Sequence, residues 1–165
     1  MTKTQMDSRA FRTALGQFAT GVTVITALDA AGNRVGMTAN SFSSVSLDPM
    51  LVLWSIARTS KSYDVFMQAP HFAIHVLNAG QKALSSQFAS TCDDRFQGIE
   101  TRTGEGGVPL LTDYSALFQC ATEARYDGGD HVIIIGRVLD FDSTTKPPLI
   151  FHAGRYADIE LPVAV

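Results

Sequence analysis

The stretch Gly36-Met-Thr-Ala-Asn-Ser-Phe-Ser-Ser-Val-Ser-Leu-Asp-Pro49 stands directly before the apolar run Met50-Leu-Val-Leu-Trp-Ser-Ile56. Short hydroxyl and amide side chains dominate the first of these two segments. Such side chains donate and accept hydrogen bonds, and their small size lets a flat ligand approach the backbone closely. The stretch therefore indicates either one wall of a polar ligand site or a polar edge strand that ends in a turn at Asp48-Pro49. Its chemistry alone leaves both interpretations open.

Runs of β-branched and apolar residues on both sides of this stretch predict strands. The segment 51–57 is apolar on both faces, which is typical of a strand buried centrally or against another subunit. Turn residues at 29–33 and 127–130 predict antiparallel connections. Six or seven strands at these spacings, with short helices around them, predict a mainly β fold built as a small antiparallel barrel. The predicted strands cover residues 21–26, 35–42, 51–57, 72–77, 117–126, 131–141 and 149–152.

Three helices and one long loop complete the prediction. Asp7 or Ser8 caps a first helix that runs to residues 14–17, and Thr59 or Ser60 caps a short helix that stops before Pro70. Residues 78–81 resemble a capping box for a third helix over 81–88. Residues 98–107 hold four glycines and mixed charge, so they predict a mobile surface loop, either a lid or merely a connection.

The composition limits the classes of protein to which the chain can belong. With 165 residues, of which 45% are hydrophobic, it predicts a single domain over residues 1–165, with residues 1–7 flexible. Lysine and arginine total 13 against 16 acidic residues, and no basic stripe suggests nucleic acid as a partner. Neither a signal peptide nor a run of ~20 apolar residues stands out, so we expect no membrane partner and a cytoplasmic location.

Histidine and cysteine give no metal signal. His71 and His75 lie on one predicted strand, about 13 Å apart at ~3.3 Å per residue, which is too far for one ion to bridge. We therefore expect no metal site. Cys92 and Cys120 lack the spacing of a redox or zinc motif, and we expect buried or inert thiols.

Two further clusters could hold a ligand. Ser60, Lys61 and Ser62 stand at a predicted helix start, where free N–H groups favour a phosphate. The alternative is simple capping, with Lys61 as an exposed charge. His131 follows Gly-Gly-Asp at the mouth of a strand and is a weak catalytic candidate, because a lone histidine there is more often structural or solvated. The sequence contains no GxSxG, GxxxxGK[ST] or GxGxxG motif, so common hydrolase and nucleotide folds are not indicated.

The order of several motifs resembles one known family. Phe18-Ala-Thr-Gly-Val-Thr-Val-Ile-Thr26 precedes the stretch from Gly36 to Pro49, and Gly107-Val-Pro-Leu-Leu111, Gly129-Asp-His131 with Ile135-Gly-Arg-Val138, and Leu149-Ile-Phe-His-Ala-Gly-Arg-Tyr156 follow it. Together they resemble the short-chain flavin reductases, the reductase components of two-component flavin-dependent monooxygenases. The resemblance implies an FMN-binding split barrel of Greek-key type that forms a homodimer with the flavin near the subunit interface.

The resemblance also implies an activity and a set of site residues. The expected reaction is hydride transfer from NADH or NADPH to FMN or FAD, and the reduced flavin is then supplied to a separate oxygenase. No metal is implied. His131 is assigned to nucleotide binding first, and proton delivery near the flavin is the weaker hypothesis for this residue. The implied flavin-ring and ribityl contacts are Thr38, Ala39, Asn40, Ser41 and Ser43, with Ser55, Ile56 and Ala57 beside them; Ser60, Lys61 and Ser62 hold the phosphate; and Gly129, Asp130, His131, Arg155 and Tyr156 bind the nicotinamide nucleotide.

One departure and two alternatives remain. His75 stands where the family often has asparagine, so a buried hydrogen bond there must be made by an imidazole. A flavoprotein electron carrier that retains its flavin and reduces a protein or metal acceptor is the main alternative function. A ligand-binding barrel without catalysis is the second alternative.

Overall fold

The structure, a computed structural model, describes residues 7–160. These residues form three α-helices, one 3₁₀ turn at Glu105–Gly107 and twelve β-strands. The helices are α1 Ser8–Leu15, α2 Tyr63–Gln68 and α3 Lys82–Ala89. The strands are β1 Thr20–Gly21, β2 Thr23–Leu28, β3 Arg34–Ala39, β4 Ser43–Leu47, β5 Met50–Ala57, β6 His71–Val76, β7 Thr101–Thr103, β8 Pro109–Leu111, β9 Ala116–Gly128, β10 His131–Ser143, β11 Ile150–His152 and β12 Arg155–Ala157.

Antiparallel pairing dominates the molecule. Seven strands form one sheet in the order β3-β2-β6-β9-β10-β5-β4, β1-β11-β12 form a second sheet, and β7-β8 form a third. Every ladder between named strands is antiparallel. The prediction of a mainly β, antiparallel fold with short helices is confirmed. The prediction that residues 1–7 are flexible falls largely outside the described residues, and Asp7 itself accepts a hydrogen bond from the Arg9 amide as the cap of α1.

The two ends of the large sheet approach each other. Ser41, directly after β3, accepts a hydrogen bond from the Ser55 amide at 2.9 Å and donates one to the Ser55 carbonyl at 3.1 Å. Met37 of β3 also packs against the core cluster that contains Trp54 of β5. Trp54 is fully buried and meets the edge of Phe66 with ring centroids 4.8 Å apart. One apolar core thus lies between the two ends of the sheet.

The segment 36–49 folds differently from the predicted strand over 35–42 and following loop. β3 ends at Ala39, and Ser43–Leu47 forms the edge strand β4, which pairs with β5. For this half of the segment, the alternative of a polar edge strand with a turn at Asp48-Pro49 is confirmed. The serines misled the prediction because an edge strand needs few apolar side chains when its outer side faces solvent.

β5 is not buried on both faces within one chain. Val52, Trp54 and Ile56 are buried, whereas the intervening Leu51 and Leu53 are only half-buried. The strand therefore alternates, as a strand at one face of a core does. Its second apolar face remains partly exposed.

Helix α2 begins later than predicted. Ser62, not Thr59 or Ser60, occupies the position before its first residue, and the Ser60 hydroxyl instead accepts a hydrogen bond from the Ser62 amide at 3.2 Å. Before α3, the Gln81 side chain accepts from the Asn78 amide at 2.8 Å, which is one half of the predicted capping box. The Asn78 side chain accepts from the Gly80 amide instead.

The glycine-rich segment 98–107 is more ordered than a simple surface loop. Residues 101–103 form β7, which pairs with β8. Two of its glycines also pack closely, since a Cβ on Gly104 would lie 2.4 Å from the Gln119 side-chain oxygen and one on Gly106 would lie 2.5 Å from the His71 ring. The prediction of an unstructured connection is wrong for this part of the segment, because small residues were needed for close packing rather than for mobility.

His75 ties three strands together in the interior. Its Nδ1 lies 3.0 Å from the Val24 carbonyl, and its Nε2 accepts a hydrogen bond from the Leu111 amide at 3.0 Å. Because an amide can only donate, Nε2 is unprotonated and Nδ1 carries the hydrogen that Val24 accepts. Burial lowers the pKa of His75 to about 4. The imidazole therefore makes the expected buried hydrogen bonds, with both ring nitrogens engaged.

The two cysteines lie in different environments. Cys120 is buried, and this burial raises the pKa of its thiol to about 12, as expected for an inert thiol. Cys92 is exposed, so burial is excluded for this residue, and the other alternative, an inert thiol, stays a prediction. No helix within residues 7–160 is long and apolar enough to cross a membrane.

Candidate functional site

An open groove of about 750 Å³ lies between the end of α1, the end of β3 and the turn that joins β11 to β12. Its volume falls within the range of ~300–1,000 Å³ that small-molecule sites commonly have. Leu15, Phe18 and Phe151 supply apolar walls, and Asn40 and Ser41 supply a polar edge. Apolar walls with a few polar groups at one edge suit a flat, partly polar ring.

A smaller cavity of about 230 Å³ adjoins this groove. Asn40 and Phe151 line both spaces, so the two lie side by side. Thr38 and Tyr156 lie on its walls, and both are tied to α3. The Thr38 hydroxyl donates to the Ser85 carbonyl at 2.7 Å, and the Ser85 and Tyr156 hydroxyls are 2.8 Å apart.

One polar atom at the groove lacks a partner. The Thr20 hydroxyl is buried and has no hydrogen bond within the described part of the chain, and Thr20 lines the groove beside Asn40. A buried hydroxyl without a partner costs free energy unless a ligand or water satisfies it. The groove therefore fits a ligand that carries polar atoms on an otherwise apolar ring.

The other predicted flavin contacts differ in whether their side chains are free to reach a ligand. The Ser41 hydroxyl is engaged with Ser55, and Ala39 packs against the core cluster. Ile56 is fully buried in that cluster, so its side chain cannot reach a ligand. Ser43 lies on the exposed edge strand, where its hydroxyl donates to the Ser44 carbonyl at 3.1 Å. The residues that the motifs assign to the flavin therefore include some that line the groove and others that pack behind it.

The predicted phosphate residues lie near the first half of β3, away from the groove at its end. Lys61 and Ser62 line a polar cleft of about 240 Å³ together with Arg34 and Arg95. The cleft also contains Asp93 and Asp94. Residues 34–36 of β3 line this cleft, whereas residues 38–39 line the smaller cavity, so about 7–17 Å of strand separates the two sets. Ser60 lies beside the cleft, and its hydroxyl contacts the Met37 sulfur at 4.0 Å.

The Gly129-Asp130-His131 turn joins β9 to β10. Gly129 has φ of +77° at the first central position, as a type II′ hairpin turn requires. His131 is paired with Ala57 of β5, and its Nδ1 lies 2.7 Å from the Asp130 carboxylate. The hydrogen bond from His131 lowers the pKa of Asp130. Within the described ranges this turn lines neither the groove nor the cleft, and it lies beside residues 55–57.

Several residues in or near these spaces had no role assigned from the sequence. Phe18 and Phe151 stand in the motifs that carried the resemblance, but only their polar neighbours were assigned roles. Ser85 carried no signal, because its importance comes from contact with Thr38 and Tyr156 far away in the sequence. Arg58 was passed over between two assigned segments, although its side chain bonds both the turn at Gly129 and the start of α2. Arg155 is exposed beside Tyr156.

Among residues 7–160, no three His, Cys, Asp or Glu side chains are grouped so that they could hold an ion. The two histidines of β6 lie apart, and His75 uses both ring nitrogens for backbone hydrogen bonds.

Comparison with known proteins identifies close relatives. The model of the flavin reductase like domain matches residues 15–160. FMN reductase (NADH) SmoA of Agrobacterium fabrum is 47% identical over 150 residues, which are 91% of this chain and 85% of that protein. A probable flavin reductase of Rhizobium meliloti is 47% identical over 156 residues, 94% of this chain and 50% of that protein, so the chain spans half the length of this relative.

A solved structure agrees with these matches. Nitrilotriacetate monooxygenase component B from Mycobacterium thermoresistibile superposes with a TM-score of 0.89 at 37% sequence identity. The superposition covers 96% of this chain and 92% of that one. Sequence and fold therefore point to the same group of proteins.

Proposed function

Because the chain belongs to the family of flavin reductase like domains, we propose that it is an NADH-dependent flavin reductase. It transfers a hydride from the reduced nicotinamide to FMN or FAD and supplies the reduced flavin to a separate monooxygenase. The observation that carries this proposal is the groove at Asn40 with the adjoining cavity at Thr38 and Tyr156. The groove has apolar aromatic walls, and the buried Thr20 hydroxyl in its lining has no partner within the described residues. The names of the relatives, an NADH-dependent FMN reductase and a monooxygenase component, support the donor, the acceptor and the oxygenase partner.

The chain's own residues bind and orient the reactants. When bound, the flavin ring accepts the hydride, and the cofactor supplies the reactivity. We assign the ring and ribityl chain to the groove at residues 38–41, with Ser43 and residues 55–57 as its support. Holding two rings face to face lowers the barrier without an acid or base, which agrees with the absence of a catalytic dyad among the groove-lining residues.

The phosphate end is assigned to Ser60, Lys61 and Ser62. The cleft beside Lys61 also holds Arg34 and Arg95, and cationic side chains favour a phosphate there. The two nearby aspartates offset part of this charge, so Lys61 carries most of the assignment.

The nicotinamide nucleotide is assigned to Gly129, Asp130 and His131, with Arg155 and Tyr156 nearby. An imidazole at the mouth of a strand can hydrogen-bond an amide or a phosphate without acting as a base. His131→Ala should therefore raise the KM for NADH while flavin binding is retained. An unchanged KM and an unchanged kcat in this variant would remove His131 from the site.

We infer further that the sheet closes as a Greek-key split barrel and that residues 1–165 form one domain. The hydrogen bonds between Ser41 and Ser55 and the shared core around Trp54 support this closure. A cytoplasmic location agrees with the proposed donor, because reduced nicotinamide nucleotides are produced inside the cell.

A homodimer is also proposed. Large apolar side chains remain exposed on three adjacent strands of the sheet, β4, β5 and β10. Large exposed apolar side chains on neighbouring strands favour an interface between subunits. Its members are Val45, Leu47, Met50, Leu139 and Phe141.

Retention of the flavin separates the proposed reductase from the alternative electron carrier. A reductase that supplies free reduced flavin should lose most of its flavin on extensive dialysis and regain NADH oxidation when FMN or FAD is added. A protein that stays yellow after dialysis and reduces a protein acceptor, but not added flavin, would support the carrier.

A further inference from the structure

Arg58 lies between two segments to which the proposed function assigns different ligands. It directly follows β5, two residues before the proposed phosphate residues begin at Ser60. Its other neighbour is the β9–β10 turn, which carries the proposed nicotinamide residues. Its contact with the turn arises from the fold and not from proximity in sequence, because Gly129 lies 71 residues further along the chain.

Four interactions of Arg58 join these segments. Its amide donates to the Asp130 carbonyl at 2.9 Å, and its Nε donates to the Gly129 carbonyl at 3.1 Å. Its Nη1 donates to the Tyr63 hydroxyl at 3.1 Å, and its Nη2 forms an ion pair with Asp127. Tyr63 is the first residue of α2, so one guanidinium spans the turn and the helix start.

Arg58 acts through the geometry of its hydrogen bonds rather than through the energy of its ion pair. The Arg58 side chain is 41% exposed and Asp127 is 90% exposed, and an exposed ion pair of this kind adds little to stability. The guanidinium, however, presents its donors in a rigid planar fork. Three donors engaged with three different groups fix the distance between the turn and α2 more tightly than one flexible contact would.

We propose that Arg58 is a positioning residue that holds the Gly129-Asp130-His131 turn against Tyr63 at the start of α2, directly after the Ser60–Ser62 segment. It thereby sets the nicotinamide nucleotide in register with the flavin. This inference rests on the proposed function. Arg58 acts through the turn and does not itself contact either reactant.

The test compares Arg58→Ala with a matched control, Arg137→Ala. Arg137 forms a bidentate ion pair with Glu123 across the same two strands, away from the turn. Arg58→Ala should raise the KM for NADH roughly tenfold, the size expected for the loss of a hydrogen bond to a charged group. The KM for FMN should change less than about twofold, because the flavin groove is untouched. Arg137→Ala should leave both values at the wild-type level.

A second set of variants keeps the inference testable if Arg58→Ala folds poorly. Asp127→Ala removes only the exposed ion pair and should raise the KM for NADH by a smaller factor, roughly two- to threefold. The double variant should be no worse than Arg58→Ala alone, since both changes act through one contact. Arg58→Lys keeps the charge but not the fork and should resemble the alanine variant.

The outcomes separate this inference from the proposed function. If the wild-type protein oxidises NADH with FMN but Arg58→Ala and Arg58→Lys raise the KM no more than Arg137→Ala does, the positioning role is wrong. If the wild-type protein shows no flavin-dependent oxidation, the proposed function itself fails. Thermal unfolding of each variant, measured in parallel, distinguishes weaker binding of NADH, seen as a higher KM, from a loss of folded protein.

Discussion

Ser41 shows how a predicted ligand residue can serve the fold. Its hydroxyl both accepts from and donates to the backbone of Ser55, much as a neighbouring strand would. A hydroxyl supplies one donor and two acceptor positions, so one acceptor position remains. The residue therefore joins β3 to β5 while it lines the groove.

Ser41→Ala should destabilise the protein by about 1–3 kcal/mol, because the half-buried Ser55 amide loses its partner. Urea unfolding followed by tryptophan fluorescence measures this change. The matched control is Ser43→Ala, whose exposed hydroxyl bonds only the next carbonyl and whose loss should cost no more than about 0.5 kcal/mol. Equal effects of the two substitutions would mean that Ser41 does not join the strands.

His75 should make stability depend on pH in a defined window. Its folded pKa of about 4 lies below the ordinary value of 6.5, so the unfolded state binds more protons between these two values. The neutral imidazole contributes about 3 kcal/mol to the free energy of unfolding. This contribution is complete above pH 6.5 and is lost as the pH falls to about 4. Protonation would place a donor at Nε2 against the Leu111 amide.

Urea midpoints measured across this window test the role of His75. His75→Asn should be less stable at neutral pH, since it cannot reach both backbone partners, but its stability should change little between pH 6.5 and 4. A variant that keeps the full pH slope of the wild type would assign the slope to other groups.

At the scale of elements, regular patterns were predictable and exceptions had local causes. β-branched runs marked the central strands correctly, because their side chains pack on a pleated sheet. β4 was missed because the alternation in Ser44-Val-Ser-Leu47 covers only four residues and ends at the turn signal Asp48-Pro49. The cap of α2 was misplaced because Thr59, Ser60 and Ser62 all carry hydroxyls that could cap a helix, and only the path of the chain shows that Ser60 bonds the Ser62 amide.

The segment 98–107 supplies a test at this scale. Gly106 has φ of +62° and lies against His71, whereas Gly98 has φ of +72° with open space around it. Alanine at Gly98 should cost about 1–2 kcal/mol from backbone strain alone. Alanine at Gly106 should cost more, because the His71 ring must also move. Equal losses in thermal or urea unfolding would contradict close packing of this segment.

At the scale of the whole molecule, the site could be predicted only in part. Asn40, Lys61 and Tyr156 stand in recognisable motifs and line the groove, its side cavity or the cleft. Ser85 and Arg58 act through contacts with distant segments, which local sequence patterns do not encode. The order of the motifs carried the resemblance to a family, and only the structure shows which of their residues lie close together.

The exposed apolar face leads to a prediction about assembly. Leu47 is 91% exposed in the single chain, so Leu47→Asp should not reduce the stability of a monomer. In the proposed homodimer it would bury a charge at the interface and weaken association by about 10- to 100-fold, from the ~1.5–3 kcal/mol of a buried leucine. Sedimentation equilibrium measures the change, and Asp64→Ala on the exposed side of α2 is a control. A wild-type protein that is monomeric at high concentration would contradict the dimer.

The central claim is that the chain reduces flavin with NADH. Its most direct test is steady-state NADH oxidation by the dialysed protein with riboflavin, FMN and FAD added in turn, with NADPH as a second donor. We expect flavin-dependent oxidation of NADH, with a lower KM for FMN than for riboflavin because Lys61 belongs to the proposed phosphate site. No oxidation of either donor with any of the three flavins would contradict it.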